Sequence, residues 1–463
     1  MKSIAGVVAL VLVAASAAAE PIGFTGRLLE RVASKSDPTQ TYALYVPASY
    51  TREKKWPVIF CFDPGARGRV PVERLQAAAE KFGCIVAGSN NSRNGPWADN
   101  LAAMQAMIAD VDSHLALDGG RVYAAGLSGG ARVAAEAGVL GIAKGVIACS
   151  AGFPVRPEGT PRRVPFLFFG TAGTEDFNHS ELQRLDGDLD DRHAVHRIIF
   201  FAGGHEWASP ALLEEAVAWL EIQSMRRGAR PRDDAMIQAS LQSRLAAVQA
   251  LGPGPAWREL KSIAADFAGL VDTTDIEQKV KALSGTGAVK DWQRASRRLA
   301  GREQELTAEL RDLAASGTRN EIRRRAAELR AQAEAADDSP DRQMVRRTIG
   351  GVLIGNRENL RALFDDHAYR AAIAQLELGA ALRPGQPRTL FDLARACAHD
   401  GQKPRALEAL QQAAAAGFSD ATRTETDPAF AKLRKEAAFQ TALAAIRANP
   451  PEPERPGREG RGR

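Results

Sequence analysis

The chain has 463 residues, of which 45% are hydrophobic, and its 61 basic and 56 acidic side chains leave a formal net charge of +5. This length supports two or three domains with at least one large core, whereas so small a charge excess gives no indication of nucleic-acid binding. Four scattered cysteines, Cys61, Cys84, Cys149 and Cys397, are too few for a disulfide framework. Buried thiols are expected, and a Cys61–Cys84 bridge stays open.

The amino terminus has the pattern of a cleaved secretory signal over residues 1–19. Lys2 is its single charge, an apolar run covers residues 4–15, and three alanines precede Glu20. A membrane anchor needs about 20 apolar residues and would lack the small-residue cleavage pattern. The sequence therefore predicts a periplasmic or secreted protein with no transmembrane segment.

Residues 23–225 alternate short β-branched or aromatic runs with amphipathic stretches. This pattern is typical of an α/β domain with a mostly parallel sheet and helices on both faces. An antiparallel hairpin is expected to open the domain, and buried strands and covering helices follow it. The hairpin is expected at 24–32 and 41–46, the strands at 58–62, 84–87, 122–125 and 146–148 and in runs ending at Phe169 and Phe201, and the helices at 72–82, 100–115 and 210–223.

The connection between the strand ending at Cys149 and the next strand, near Val164, is short and rich in proline, glycine and arginine. With only about fourteen residues, it leaves no room for an inserted helical lid. An open site is therefore expected.

The segment Gly126-Leu127-Ser128-Gly129-Gly130 follows the predicted strand and precedes a helix-forming stretch. On such a turn the serine is held strained and exposed, because a side chain at a flanking glycine would collide with the neighbouring strand or helix. We interpret Ser128 as a catalytic nucleophile. The five-residue pattern is weak by itself, since an ordinary turn serine between glycines produces it too.

Two further reactive residues each follow a later predicted strand. Asp176 comes after the run 166–169, and His205 follows two glycines after the run 198–201. A serine needs a base within hydrogen-bond reach, and an imidazole needs an acid to orient it. We therefore interpret His205 as the base and Asp176 as its partner, with Glu175 as the nearby competitor. The alternatives of a loop-capping aspartate and a solvent-facing histidine stay open.

An oxyanion hole needs two N–H donors, and the residue after the nucleophile, Gly129, supplies one. The second is expected from the loop after the strand 58–62. Pro64 has no N–H, so Gly65 or Ala66 is the expected donor. Arg67 in the same loop either faces the site and attracts an acidic substrate or lies on the surface.

Trp97 and Trp207 are candidate walls of the substrate pocket. Packing under a loop is the alternative for each. The acidic and histidine cluster at 186–196 lacks the residue order of a calcium loop, so a solvated connector is expected there, with no metal site and no cofactor.

The segment 121–131 together with Gly203-Gly204-His205-Glu206-Trp207 resembles the polyhydroxybutyrate depolymerase and feruloyl esterase branch of the α/β-hydrolases. The resemblance covers roughly residues 23–225 and implies carboxylic ester hydrolysis through an acyl-enzyme, on a small or polymeric ester. It departs at Asp63-Pro64-Gly65, where the family usually has His-Gly. A peptidase of the prolyl oligopeptidase type and a non-catalytic interaction protein are the alternatives.

Beyond residue 225 the strand pattern stops. Residues 226–350 read as a linker and charged helices, and 351–448 as a helical domain in which positions 390–413 resemble a tetratricopeptide repeat. Such a region binds a protein partner, mediates self-association or braces the hydrolase domain. The proline-, glycine- and charge-rich tail 449–463 is expected to be disordered.

Overall fold

The computed structural model describes residues 24–155, 161–335 and 338–451. The predicted signal over 1–19 and nearly all of the predicted disordered tail, from 452 onward, lie outside the described residues.

Eight strands form one sheet in the order β1-β2-β4-β3-β5-β6-β7-β8. The first two pairings, β1 with β2 and β2 with β4, are antiparallel, and every other pairing is parallel. This is the strand order of the α/β-hydrolase fold, so the predicted fold class is confirmed. The strands are β1 (Leu28–Ala33), β2 (Thr41–Tyr45), β3 (Trp56–Phe62), β4 (Ile85–Ser89), β5 (Leu117–Leu127), β6 (Gly145–Cys149), β7 (Leu167–Gly173) and β8 (His196–Phe201).

Helices cover both faces of the sheet, which explains why the central strands are continuous apolar runs. All residues of β3 and β7 are buried. Alternate side chains of β3 enter different cores: Phe60 packs in one, Ile59 in the other. The helices of this region are α1 (Arg69–Phe82), α2 (Trp97–His114), α3 (Gly129–Val139), α4 (His179–Asp191) and α5 (Pro210–Arg226).

One part of the sequence reading of this region is wrong. The stretch 186–196 does not form a solvated connector throughout, because its first six residues complete α4. The helix buries Leu182, Leu185 and Leu189 at helical spacing, and the surrounding acidic residues hide that period in the sequence. Among the described residues, no group of histidine, cysteine, aspartate and glutamate side chains could hold a metal ion.

All four cysteines are free and buried. Cys61 pairs in register with Gly88, whereas Cys84 directly precedes the start of β4, so the two thiols stand at different heights along neighbouring strands. The open question of a Cys61–Cys84 bridge is thereby answered in favour of separate thiols.

The carboxyl-terminal half is helical. Its helices are α6 (Asp234–Val248), α7 (Pro253–Phe267), α8 (Thr274–Ser284), α9 (Gly287–Ser316), α10 (Arg319–Ala333), α11 (Pro340–Asp365), α12 (Tyr369–Leu382), α13 (Pro387–His399), α14 (Lys403–Ala415), α15 (Ala421–Thr426) and α16 (Ala437–Ala448), with a 3-10 turn at Pro428–Phe430. The expected division between 350 and 351 falls inside α11, which continues across it. No helix in the described ranges is long and apolar enough to cross a membrane.

Helices α13 and α14 form a hairpin that buries Leu390, Ala394, Cys397 and Leu410. The turn between them contains Gly401 at φ 77°, a conformation that glycine adopts without strain. The resemblance of this hairpin to a tetratricopeptide unit stays a prediction.

Buried polar contacts join the helical half to the sheet region. The Trp219 indole N–H on α5 donates to Asp266 Oδ1 on α7 at 2.7 Å. Arg244 on α6 pairs with the same carboxylate, and all three side chains are nearly fully buried. Because a buried charge is tolerated only when paired, these contacts fix how the first carboxyl-terminal helices sit against α5.

Candidate active site

Ser128 lies between the end of β5 and the start of α3, with φ 53° and ψ −120°. Its backbone N–H donates to the carbonyl of Cys149 at the end of neighbouring β6, at 2.8 Å. A non-glycine residue rarely adopts this conformation, and such strain concentrates at functional sites. Two more of the five described non-glycine residues with positive φ, Ala66 and Ser150, follow the adjacent strands β3 and β6.

The flanking glycines of this turn are required by close backbone packing. A Cβ at Gly126 would lie 2.1 Å from the Gly130 carbonyl oxygen, and a Cβ at Gly130 would lie 2.0 Å from that of Phe62. Both separations are too short for any real Cβ atom, so only glycine fits at these two positions, as expected from the sequence.

Asp176 and His205 meet at the carboxyl ends of β7 and β8. His205 Nδ1 and Asp176 Oδ1 are 2.8 Å apart. The aspartate is fully buried, while the histidine side chain is 22% exposed. Asp176 Oδ1 also accepts from the Asn178 N–H at 2.8 Å, whereas Oδ2 is buried without a hydrogen-bond partner among the described residues.

A backbone hydrogen bond joins the loops that contain Asp176 and His205. The Glu175 N–H donates to the Gly203 carbonyl at 2.9 Å. The Glu175 side chain turns the other way and pairs with Arg346 on α11 at 2.8 Å. The competing carboxylate therefore does not meet His205.

Ser128, the predicted nucleophile, is not hydrogen-bonded to this pair in the described residues. Ser128 Oγ makes no hydrogen bond with any residue in the described ranges, and neither does His205 Nε2. Catalytic hydrogen bonds are often long in enzymes without substrate and shorten when it binds.

The loop after β3 is organised around Asp63, which is fully buried. Its carboxylate accepts from the Gly65 N–H at 2.8 Å, from Arg67 Nε at 2.8 Å and Nη2 at 3.0 Å, and from the Trp207 indole N–H at 2.9 Å. The Ala66 N–H donates to the Asp63 carbonyl at 3.1 Å. Both N–H groups expected to bind an oxyanion are thus engaged inside the loop.

The same contacts give Arg67 and Trp207 structural positions. Arg67 lies against its own loop, and Trp207 is 4% exposed within the core between the sheet and α5. Trp207 thus has the packing role that was the alternative to a pocket wall. Trp97, by contrast, is 38% exposed at the start of α2, and its role as a pocket wall stays a prediction.

Asn94 was not singled out from the sequence. Its side-chain amide lies over the residue after the nucleophile: a Cβ on Gly129 would be 1.9 Å from Asn94 Oδ1 and 3.8 Å from Nδ2. Its backbone N–H donates to the Pro64 carbonyl at 2.9 Å, which ties it to the Asp63 loop. No motif in the sequence signals this amide.

Phe177 and helix α11 were also missed. The Phe177 ring stacks on His205, with centroids 4.0 Å apart and planes at 24°. On the other side of Phe177, a Cβ at Gly351 of α11 would lie 3.4 Å from the Phe177 Cβ. The paired glycines Gly350 and Gly351 inside a helical pattern were the available signal, since glycine within a helix often has a packing reason.

Two neighbouring arginines of α11 hold the acid loop. Arg347 is 3% exposed, pairs with Glu303 on α9 at 2.6 Å and donates to the Thr174 carbonyl at 3.0 Å. Arg346 pairs with Glu175 as described above. No helix lies in the described part of the segment between β6 and β7, and α11 of the carboxyl-terminal half stands beside the loop of Asp176. The expectation of an open site at Ser128 stays a prediction.

His179, at the start of α4, is a further titratable side chain next to this loop, and its backbone N–H donates to the Asp176 carbonyl at 2.8 Å. Burial, assisted by the positive charge of Arg347, lowers the pKa of His179 to about 4. Its Nδ1 is buried without a partner among the described residues. The ring is therefore neutral at physiological pH and does not compete with His205 for Asp176.

No protein-family model and no curated protein matches this chain. Among solved structures, a ferulic acid esterase is 18% identical, covering 42% of this chain and 97% of its own, with a TM-score of 0.33. The Pyrobaculum calidifontis esterase is 13% identical over 42% and 82%, with a TM-score of 0.34. The fluorophosphonate-binding serine hydrolase F of Staphylococcus aureus is 11% identical over 42% and 98%, with a TM-score of 0.35.

Proposed function

We propose that this chain is an exported serine hydrolase that cleaves carboxylic esters with Ser128, His205 and Asp176. The observation that carries the proposal is the buried Asp176 carboxylate against Nδ1 of His205, at the sheet edge where Ser128 occupies its strained turn. A carboxylate on Nδ1 leaves Nε2 as the proton acceptor, which is the tautomer that a base toward serine needs. The ester class rests on the resemblance around 203–207, and export rests on residues 1–19.

In the proposed reaction, Ser128 Oγ attacks the ester carbonyl carbon while its proton passes to His205 Nε2. The tetrahedral intermediate collapses, the bond to the alcohol oxygen breaks, and the alcohol leaves with that proton. Water then gives a proton to His205 and attacks the acyl-Ser128 carbonyl. Ser128 recovers the proton as the carboxylic acid departs.

The negative charge on the intermediate needs two donors. The Gly129 N–H follows the nucleophile and is the first. For the second, we infer that the Asn94 side-chain amide supplies the hydrogen bond, because it lies over Gly129 while the N–H groups of Gly65 and Ala66 are engaged. Asn94 Oδ1 is the amide atom nearer to Gly129 in this structure, so donation by Nδ2 requires the amide to turn. An oxyanion role for Gly65 or Ala66 would require those loop hydrogen bonds to open.

A second candidate function is a non-catalytic interaction protein that uses the sheet region as a platform. Two observations favour it: Ser128 and His205 are not hydrogen-bonded to each other, and the Gly65 N–H turns toward Asp63. The saturated Asp63 loop is equally compatible with catalysis through Asn94.

A fluorophosphonate probe separates the two functions. Wild-type protein should be labelled stoichiometrically and should hydrolyse p-nitrophenyl esters, and Ser128→Ala should abolish both. The matched control is Ser150→Ala, since Ser150 also has positive φ at a neighbouring strand end and should be labelled like wild type. Labelling that survives in Ser128→Ala would refute the proposal, and turnover of aminoacyl amides in place of esters would identify a peptidase.

A further inference from the structure

A cleft of about 1030 Å³ lies between the loops of the acid and the base and the helices α10–α13. Glu175, Phe177 and Gly204 form its wall on the sheet side. Gly204 directly precedes His205, and the Phe177 ring stacks on the imidazole. The cleft therefore adjoins the residues that flank the proposed base and stack on it, although neither His205 nor Ser128 lines the cleft, and it extends into the helical half.

The charge of this cleft is strongly biased. Three acidic residues line it, against six arginines contributed by α10, α11, α13 and α15 and by the residue that follows α12. These arginines are Arg330, Arg346, Arg357, Arg383, Arg388 and Arg423. The chain as a whole has nearly equal numbers of basic and acidic residues, so the bias belongs to the cleft.

Two of the acidic residues are neutralised inside the cleft. Glu175 pairs with Arg346 at 2.8 Å, and Asp392 with Arg423 at 3.4 Å. Arg330 Nε, by contrast, is buried and has no hydrogen-bond partner among the described residues. A buried guanidinium N–H without an acceptor is unfavourable, and a bound carboxylate or phosphate oxygen would satisfy it.

Apolar side chains share the lining of the cleft with these arginines. Ile349 and Leu353 of α11 and Leu376 of α12 face the cleft together with Phe177. A ligand that fits this lining combines an apolar body with a negative charge.

We propose that the cleft binds the anionic end of the ester substrate, so that the enzyme prefers esters whose acyl chain ends in a carboxylate. This inference rests on the proposed function, because it makes the cleft the extension of the site at Ser128. The contact with the phenylalanine on His205 favours a substrate over an independent protein partner. An acidic peptide is the other occupant that the test distinguishes.

The test compares p-nitrophenyl monoesters of succinate, adipate and suberate with the corresponding p-nitrophenyl methyl diesters, which differ only in the terminal charge. For at least one chain length, kcat/KM of the carboxylate form should exceed that of its methyl ester by about tenfold, the size expected of one charge-assisted hydrogen bond. Added salt should reduce this ratio. Equal rates at every length would overturn the inference.

Arg330→Gln should lower the ratio of kcat/KM for the carboxylate ester to kcat/KM for its methyl ester to about two or less. Arg357→Gln should lower this ratio by a smaller factor, because Arg357 is exposed. The matched control is Arg361→Gln. Arg361 lies on α11, as Arg357 does, but its side chain is 92% exposed and outside the cleft, so this variant should keep the wild-type ratio. A ratio unchanged in both cleft variants would overturn the assignment.

Binding separates failure of this inference from failure of the proposed function. Monomethyl suberate should bind Ser128→Ala protein about tenfold more tightly than dimethyl suberate in calorimetry, and Arg330→Gln should remove the difference. Turnover of neutral esters without any preference for anionic ones would support the hydrolase proposal and refute the inference about the cleft. Selective binding of the monoanion without any turnover would support the anionic cleft and refute the hydrolase proposal. Binding of a poly-glutamate peptide but not of the monoester would assign the cleft to a protein partner.

Discussion

Two loops at the edge of the sheet each contain a fully buried aspartate, and the two carboxylates are used differently. Asp63 after β3 accepts four hydrogen bonds, two of them from a guanidinium. Asp176 after β7 accepts from Asn178 and meets His205, and its second oxygen has no described partner. A saturated carboxylate holds its surroundings in place, whereas an undersaturated one can respond when the imidazole beside it gains a proton.

The two loops also differ in what restrains them. The donors to Asp63 come from its own loop and from Trp207, all within the sheet region. The loop of Asp176 is held from outside by Arg346 and Arg347 of α11. The structural aspartate is therefore independent of the helical half, while the proposed catalytic one is not.

The largest effect that would sharpen this comparison is expected for Asp176→Asn. The amide keeps the shape but stabilises the wrong imidazole tautomer, so kcat should fall by about 10⁴-fold with little change in melting temperature. Asp188→Asn, on the exposed side of α4, is the control and should retain wild-type kcat. A loss of less than about tenfold in kcat for Asp176→Asn would end the assignment of this loop as catalytic.

Asp63→Ala should act on stability instead. It leaves the buried Trp207 indole N–H and the loop N–H groups without an acceptor, which costs about 2–4 kcal/mol in the free energy of unfolding. Urea denaturation measures the change. Arg67→Gln should cost less, because the Arg67 side chain is 44% exposed. If Asp63→Ala kept the wild-type unfolding midpoint and lost activity, Asp63 would have a catalytic role and not the structural one assigned here.

Asn94→Ala tests whether the oxyanion is bound outside the Asp63 loop. Removing one side-chain donor should lower kcat by about 10²-fold and leave KM nearly unchanged. Asn91→Ala is the matched control, since the described partners of the Asn91 side chain are only the backbone groups of Thr39 and Thr41, and it should affect stability alone. Full activity in Asn94→Ala would indicate that the second hydrogen-bond donor to the oxyanion is the N–H of Gly65 or Ala66.

The smallest effect is a difference in acid sensitivity. Because the folded-state pKa of His179 is lowered to about 4, the unfolded chain binds more protons between pH 6.5 and pH 4, and stability falls as the pH falls through this window. His179→Gln should remove on the order of 1 kcal/mol of the stability lost between pH 7 and pH 5. Unfolding midpoints of wild type and variant at the two pH values measure this, and an equal loss of stability in both proteins would contradict it.

The sheet could be predicted because buried parallel strands are continuous apolar runs, as β3 and β7 are. The order of Ser128, Asp176 and His205 along the chain placed all three at strand ends of one sheet, and the latter two lie in contact. Helix α4 escaped prediction because its acidic residues mask three leucines. The engaged N–H of Gly65 depends on the rotamer of Asp63, which no spacing encodes.

The contacts of α11 escaped prediction for another reason. Arg346 and Glu175 are 171 positions apart, and each lies in a stretch that gives an ordinary local pattern. Periodicity describes which face of an element is buried and not which distant element covers it. For the same reason the arginine-lined cleft has no signature in the sequence, since its walls come from segments far apart in the chain.

The contact between α11 and Phe177 has a consequence for the history of such a protein. Helix α11 lies against Phe177, and the Phe177 ring stacks on the imidazole of the proposed base. Replacing the carboxyl-terminal half with an unrelated module would remove this contact together with the two arginines that hold the loop of Asp176. The two halves of the chain should therefore be inherited together.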